Sequence, residues 1–471
     1  MRRLLVGVLV LVLALVPAAL SAQAGAEHAR MAGAPAGGIG EAERIGALAE
    51  LWKEASYNFA YFDRVPELDW RARFVAYLPE VRVATGTFEF YRVLQRFMAE
   101  LGDGHTLVFF PDSIVSRRPL DAPRVELEEI GRRAVVANVD TALVARVPVG
   151  SEVVRMDGEP VEERLRRDVF PYMAVSTEQV RWRDGIRGSA RHMYGLLWGP
   201  AGSGVRLTLR TPGGDSVDVE LARDRGSGRV AWVVPPVQRP LLEHRALPDG
   251  IAYVAINSFN DAALVAQFGS ILPALSAARG VVLDVRRNRG GVDDVVRQIV
   301  ARLSRDTLLG PAWRTRTHVA AYRAWGRFAD EAEWAREYRP YWAGDGVWHV
   351  AAPDTVVPHD GARVEAPIAL LIGSETASAA ENFLIYMDRR TGTTRIGQPT
   401  NGSSGQPLML DLPGGGRAWI CTKRNTYPDG RGYIGTGVLP DIPIEPTVND
   451  VRAGRDRALE AALEVLRRTA G

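Results

Sequence analysis

Ser378 lies in the run Ser374-Glu375-Thr376-Ala377-Ser378-Ala379-Ala380-Glu381, just after an apolar stretch at 368–372. A hydroxyl at the exit of a strand and the entry of a helix is placed for nucleophilic attack. The helix N-terminus favours a developing alkoxide, and small neighbours let a carbonyl approach. The same octet also reads as a plain helix start capped by Thr376 or Ser378. A second constellation, Asp284-Val285-Arg286-Arg287-Asn288-Arg289-Gly290-Gly291, runs from a strand into paired glycines ahead of a helix. Glycines there let backbone N–H groups converge on an anion, as an oxyanion hole requires, or simply let the chain reverse.

A hydroxyl nucleophile needs a base. The chain has only two lysines, Lys53 and Lys423. Lys53 falls among the solvent-facing positions of a helix, and Lys423 falls in a strand expected over 418–423. Of the seven histidines, His105 stands out within Leu101-Gly102-Asp103-Gly104-His105-Thr106-Leu107. A histidine in a glycine turn, with Asp103 and Thr106 able to orient it, suits general-base work, and a turn histidine bonded to its own backbone is the plainer reading. No His-x-x-x-His or clustered Cys/His pattern occurs, so no metal or organic cofactor is expected.

These residues need elements to hold them. Ile45, Leu48, Leu51, Trp52, Ala55 and Phe59 recur at helical spacing, and further helical patterns at 69–79 and 87–101 predict a small α-helical N-terminal domain. Between about 120 and 223 the pattern turns to short β-type runs at 133–138, 153–156 and 205–210, a mainly β module. From Ile251 the chain reads strand 251–256, helix 262–278, strand 281–285, glycine turn, helix 293–303. A later strand at 368–372 leads into a helix over 377–388, and an amphipathic helix at 458–466 closes the chain. Such alternation implies a parallel or mixed sheet covered by helices. Residues 313–348, rich in aromatics and arginines, could form an aromatic-basic nucleic-acid surface, but with no net positive charge they read rather as a helical insertion with amphipathic packing.

Composition narrows the function. The chain has 471 residues, 46% hydrophobic and 24% charged, which describes an ordinary folded protein of about three domains. Its 58 basic residues nearly balance 56 acidic ones, and Arg2 and Arg3 fall in a segment expected to be removed. A neutral mature chain has no electrostatic reason to seek nucleic acid or an anionic membrane. Met1-Arg2-Arg3, an apolar run of about 13 residues to Val16 and Ala22-Gln23-Ala24 form a secretory leader pattern. Export to the periplasm or medium is expected, with no stable membrane anchor after leader cleavage. The single cysteine, Cys421, leaves no internal disulfide.

Four motifs together resemble the tail-specific (C-terminal processing) serine proteases and their relatives of the tricorn core. They are Asp103-Gly104-His105-Thr106, the segment from Val282 to Gly291, Thr376-Ala377-Ser378-Ala379-Ala380-Glu381, and Gly437-Val438-Leu439-Pro440-Asp441-Ile442. The resemblance implies an α/β core of the ClpP/crotonase type with an N-terminal helical domain and a PDZ-like β module. The module is similar to a PDZ domain through Val149-Gly150-Ser151-Glu152-Val153-Val154 and Asp157-Gly158, and implies capture of a substrate's C-terminal segment by β-strand addition. The implied organisation is a leader over 1–24, a linker over 25–40, a helical domain carrying the histidine over 41–118, a PDZ-like domain over 119–225 and a protease core over 226–471.

The resemblance makes Ser378 the nucleophile, Ala379 one oxyanion amide and Gly290 or Gly291 the other. Proteases of the Ser–Lys type carry lysine where this chain has Ser403, so the base expected here is His105, as in the tricorn-like branch. The serine before the tricorn histidine is Gly104 here, and no residue takes the place of its late glutamate near Gly435 and Thr436. Glu381 either orients the base or stabilises the helix start. The implied activity is an exported serine endopeptidase acting on unfolded or C-terminally exposed polypeptides. Rival readings are a non-catalytic peptide binder, an apolar-ligand carrier such as the interphotoreceptor retinoid-binding protein of the same fold, and, within the enzyme reading, a Ser378–Lys423 dyad.

Overall fold

The computed structural model describes residues 38–344 and 347–469. The expected leader and residues 25–37 of the expected linker lie outside them. Among the described residues no helix is long and apolar enough to cross a membrane.

Three helices, α1 (Glu41–Asn58), α2 (Trp70–Val83) and α3 (Thr87–Ala99), begin the described chain. The apolar positions of α1 face inward, with Leu48, Leu51 and Ala55 fully buried, and each leucine contributes roughly 1.5–3 kcal/mol by leaving water. Helix α2 runs beyond the expected 79, because Pro79 is accommodated inside it. After α3 the chain enters the short strand β1 (Leu107–Phe109), directly downstream of His105.

The middle segment folds as an antiparallel sheet of β2 (Val125–Ile130), β3 (Arg133–Val139), β4 (Glu152–Met156), β5 (Gly204–Arg210) and β6 (Ser216–Ala222), in sequence order, with the two-residue strand Glu159–Pro160 on β4. The mainly β expectation misses the ten-residue helix α4 (Glu178–Arg187), which packs along β2. Its arginines, with Glu178 and Asp184, mask a buried face of Val180, Trp182 and Ile186.

A second sheet runs β7 (Leu242–Leu247), β8 (Ile251–Ile256), β9 (Gly280–Asp284), then two later strands and the two-residue Ile442–Pro443, in that spatial order; only β7–β8 is antiparallel. Helix α5 (Ala263–Ser276) links β8 to β9, and helix α6 (Asp293–Val300) follows the glycine turn. Strands β10 (Ala312–Arg316) and β11 (Trp348–Ala351) pair with each other. The parallel sheet continues through β12 (Ile368–Ile372), helix α7 (Ala379–Met387) and strand β13 (Thr393–Gly397). Then come a hairpin of β14 (Pro407–Leu412) and β15 (Gly416–Cys421), strand β16 (Lys423–Thr426), and helix α8 (Arg457–Thr469). The single strand expected over 418–423 is thus two, with β16 leaving the hairpin to pair with β10.

Strands β8, β9 and β12 are buried at every position. Alternate residues serve two cores: Val254 and Ile256 pack with α5, α6 and α7, whereas Ile251 and Tyr253 pack with Ala458, Ala462 and Leu466 of α8. Both faces of a parallel sheet must be covered, which is why these strands read as continuous apolar runs. The segment between β10 and β11 is part helix, but its aromatics do not all pack inward: Trp325, Trp334 and Trp342 are 41%, 59% and 49% exposed.

One further sheet brings the ends of the chain together. Strand β1 pairs antiparallel with β15, Leu107 opposite Trp419, and the core beneath α1–α3 takes in Leu412, Ala418, Ile420 and Cys421. The helical layer therefore folds against the C-terminal hairpin, and His105 is carried with it.

Candidate active site

Ser378 sits between the end of β12 and α7 with φ +55° and ψ −125°. A side chain in this glycine-favoured region stores about 1–3 kcal/mol of strain, tolerated where the surroundings over-determine it. The surroundings here are backbone bonds: the Ser378 N–H donates to Ser403 O at 3.0 Å and the Ala377 N–H to Asn288 O at 3.1 Å. Ser378 Oγ does not cap the helix. It faces His105 Nε2 at 3.3 Å across a sequence separation of 273 residues.

The other ring nitrogen, His105 Nδ1, lies 2.6 Å from Ser403 Oγ. With Nδ1–H donating to Ser403, the Nε2 lone pair faces Ser378, the tautomer a base needs. Asp103 and Thr106 do not hydrogen-bond the ring. Asp103 accepts from the His105 backbone N–H at 3.1 Å and from Thr106 Oγ1 at 2.7 Å, while Ser176 Oγ donates to Asp103 and accepts from the Gly104 N–H. They shape the turn, and Ser176, which carries no motif, went unnoticed in the sequence. Burial pushes the imidazole below its ordinary value, and the charge of Asp103 pulls the other way. Gly104 also has a steric reason: a Cβ there would stand 2.7 Å from Ser403 Oγ. A serine before the histidine and a serine at 403 would compete for the same space.

Glu381 is fully buried one turn into α7. Its Oε1 accepts from Thr400 Oγ1 and from the Gly402 N–H at 2.7 Å, and its Oε2 accepts from the Ser403 and Ser378 N–H groups at 3.1 and 3.3 Å. Glu381 does not reach the histidine; it clamps the loop that presents Ser403. Burial pushes its carboxyl up to about 8 despite these four donors.

The paired glycines lie against Ser378, but the two amides differ. The Gly290 N–H is taken by Asn288 Oδ1 at 2.9 Å, so Gly290 is not a free oxyanion donor. The Phe259 N–H donates to Gly290 O and the Val292 N–H to Phe259 O, which turns the Gly291 N–H away from Phe259. Neither it nor the Ala379 N–H has a hydrogen-bond partner among the described residues. Asn288 is the brace the motif concealed: fully buried, it also donates from Nδ2 to Ile256 O at 3.1 Å. Gly290 has φ +97°, and a Cβ there would come 2.7 Å from Ser378 Cβ. Gly290→Ala should displace the serine and slow its labelling by an organophosphonate electrophile by about 10²-fold, the usual cost of an ångström-scale misplacement; labelling followed by intact-mass spectrometry checks this.

Lys423 is not part of the cluster. Its ammonium lies 5.3 Å from the centre of the Trp313 ring on the neighbouring strand, and among the described residues no hydrogen bond joins it to Ser378 or His105. Lys53 pairs with Glu54 at the surface. Glu375, three residues before Ser378, is bound by Arg187 of α4 at 2.6 Å and by Arg289 at 3.1 Å, while Arg187 also holds Glu128 of β2. Burial opposes the charge on Glu375, but these guanidiniums overcome it and hold the carboxyl down at about 2. The middle sheet is thus tied to the loop that carries Ser378. Among the described residues no group of acidic, histidine or cysteine side chains is arranged to hold a metal ion.

Residues 250–444 match peptidase family S41. No curated protein matches the chain by sequence. Among solved structures, the chain is similar in fold to mature CPAF complexed with lactacystin (17% identity, 91% of this chain and 98% of that one, TM-score 0.66). It is also similar to a putative peptidase from Parabacteroides merdae (16% identity, 91% and 97%, TM-score 0.51). The matched region holds Ser378, the glycine pair and Ser403, and the fold shared with CPAF covers 91% of the chain; residues 250–444 are a peptidase family S41 domain, a serine-type peptidase core.

Proposed function

We propose that the chain is an exported serine endopeptidase that hydrolyses peptide bonds in unfolded or C-terminally exposed polypeptides, with Ser378 as nucleophile and His105 as base. The observation that carries this reading is the line Ser378 Oγ, His105 Nε2, His105 Nδ1, Ser403 Oγ, at 3.3 and 2.6 Å. His105 Nε2 takes the Ser378 proton as Oγ bonds to the carbonyl carbon, and the Ala379 and Gly291 N–H groups receive the oxyanion. The imidazolium then returns that proton to the leaving amine as the C–N bond breaks. Water, deprotonated by the same nitrogen, releases the acid and restores the serine. Ser403 is a neutral hydroxyl, so it orients the ring, while the field of Asp103 supplies negative charge beside the imidazolium.

Export rests on the leader pattern in residues 1–24. Capture of a C-terminal segment is favoured by strand β2, which ends the middle sheet beside α4 and suits strand addition. The test is cleavage of an unfolded protein, read by mass spectrometry, for the mature chain and for Ser378→Ala, His105→Ala and Lys423→Ala. Cleavage should vanish in the first two and persist in the third; loss only with Lys423→Ala would move the base to the lysine. Only a neutral imidazole accepts the proton, so the rate should rise with pH as His105 deprotonates. Because burial lowers its value, the acid limb of kcat/KM should fall below pH 6.5.

A further inference from the structure

A cavity of about 770 Å³ opens between the helical layer, β10 and β16. Neither Ser378 nor His105 lines it. Arg64, Arg314 and Arg424 do, and each has a buried guanidinium nitrogen without a hydrogen-bond partner among the described residues: Arg64 Nη1, Arg314 Nε and Arg424 Nε. Asn425 lines it too. This residue is 2% exposed, donates from Nδ2 to Asn382 and Ser404 at 3.1 Å each, and leaves Oδ1 unpartnered. Four buried polar atoms without partners around one cavity are a cost that a bound polar group would remove.

The charge at the cavity is also uncompensated. Of its two carboxylates, Asp63 is bound to Arg424 and Asp429 to Arg431. Arg64 and Arg314 have no carboxylate within ion-pair distance among the described residues. Arg314 and Arg424 lie over the same Trp348 ring, 4.6 and 5.5 Å from its centre. Burial, and next the neighbouring charge of Arg424, lower the Arg314 value, while Asp63 pulls the other way.

The cavity backs onto the layer that holds the histidine. Arg64 Nη2 donates to Ser176 O at 2.8 Å, and Ser176 Oγ braces the turn before His105. Asn425 binds Ser404, the neighbour of Ser403. The cavity wall is thus hydrogen-bonded to the loops that brace His105 and carry Ser403. The walls between the arginines are apolar, with Ala312, Val350 and Ile434, which suits a short carbon stem ending in a charge.

Resting on the peptidase reading, we propose that this cavity is a specificity subsite for a carboxylate, supplied by an acidic side chain of the polypeptide substrate. The planar guanidinium of Arg314 matches two carboxylate oxygens, and Asn425 Oδ1 can accept a backbone N–H of the same substrate.

The test uses the full-length Ser378→Ala variant, which binds without cutting, and dye-labelled unstructured peptides differing only by Glu or Gln at one position, each with a free or an amidated C-terminus. Fluorescence anisotropy should show the Glu peptide binding about tenfold tighter, as one charge-assisted pair provides. The advantage should be independent of amidation, shrink with salt, vanish in the Arg314→Gln background and survive in part with Arg314→Lys; thermal unfolding of each variant confirms the fold. Equal affinities, or an advantage that survives Arg314→Gln, overturn the proposal, and an advantage that follows the free C-terminus assigns the cavity to the terminal carboxylate instead. Cleavage by the parent chain separates the two readings. If Ser378→Ala prefers the Glu peptide but the parent cuts neither, the peptidase reading fails and the subsite stands; if the parent cuts both equally and no binding preference exists, the subsite alone fails.

Discussion

Ser378→Ala should abolish peptide hydrolysis, by about 10³- to 10⁶-fold in kcat, without altering stability, whereas Ser378→Gly should abolish it and stabilise the protein. The reason is the backbone. At φ +55° and ψ −125° any Cβ is strained, so alanine inherits the strain and glycine loses it. Relief of about 1–3 kcal/mol exceeds the roughly 0.5–1 kcal/mol that glycine loses through the freedom of the unfolded chain. Initial rates on an unfolded substrate and denaturant midpoints for the three proteins measure both effects. A midpoint for glycine at or below the parent would show that the turn is not strained, and residual activity in both variants would remove Ser378 from the chemistry.

Glu381→Ala should be the most destabilising single change near the site. It would leave the Thr400 hydroxyl and the Gly402 and Ser403 N–H groups buried without an acceptor, while the Ser378 N–H keeps Ser403 O. Each such loss costs about 1–3 kcal/mol, so together they approach the whole stability of an ordinary domain, about 5–15 kcal/mol. Glu381→Gln should fall between, because an amide nitrogen can still donate to Thr400 but accepts nothing from Gly402. Urea unfolding, with hydrogen exchange at Gly402 and Ser403, reads the effect directly. There is a pH signature as well. The folded carboxyl titrates near 8, against 4.5 for the ordinary group. Between those values the folded state holds a proton that the unfolded chain has released. This contribution is therefore fully present below pH 4.5, declines as pH rises and is gone above about 8. The Gln variant should lack that slope, and an identical slope in both proteins would mean that Glu381 is charged in the fold.

Much of this was legible in the residues themselves. The strand at 368–372 occurs at its expected bounds, and the small-residue run after it does begin α7 with Ser378 at the entry. Those features depend on local rules: apolar runs for a strand buried on both faces, small residues where a chain turns closely. Helix α4 escapes the β-type pattern of its surroundings because its surface is almost wholly charged, and α2 continues past the expected 79 to Val83 with Pro79 inside it. The glycine pair was recognised, but not which amide remains free, since that depends on the Asn288 side chain folding back onto Gly290.

By itself the sequence picked out Ser378 as the candidate nucleophile, the glycine turn beside it, the absence of a lysine at 403, and His105 as a candidate base with Lys423 as its rival. Tertiary structure alone decided that His105 and Ser378 meet, that Ser403 holds the far ring nitrogen, that Glu381 clamps the loop rather than the base, and that Lys423 stacks on Trp313 out of reach. The division has a physical cause. Periodicity and turn chemistry report which face of an element is buried, whereas the meeting of residues 273 apart depends on β1 choosing β15 as its partner. That pairing is stabilised by a core drawn from both ends of the chain, and no local pattern encodes it.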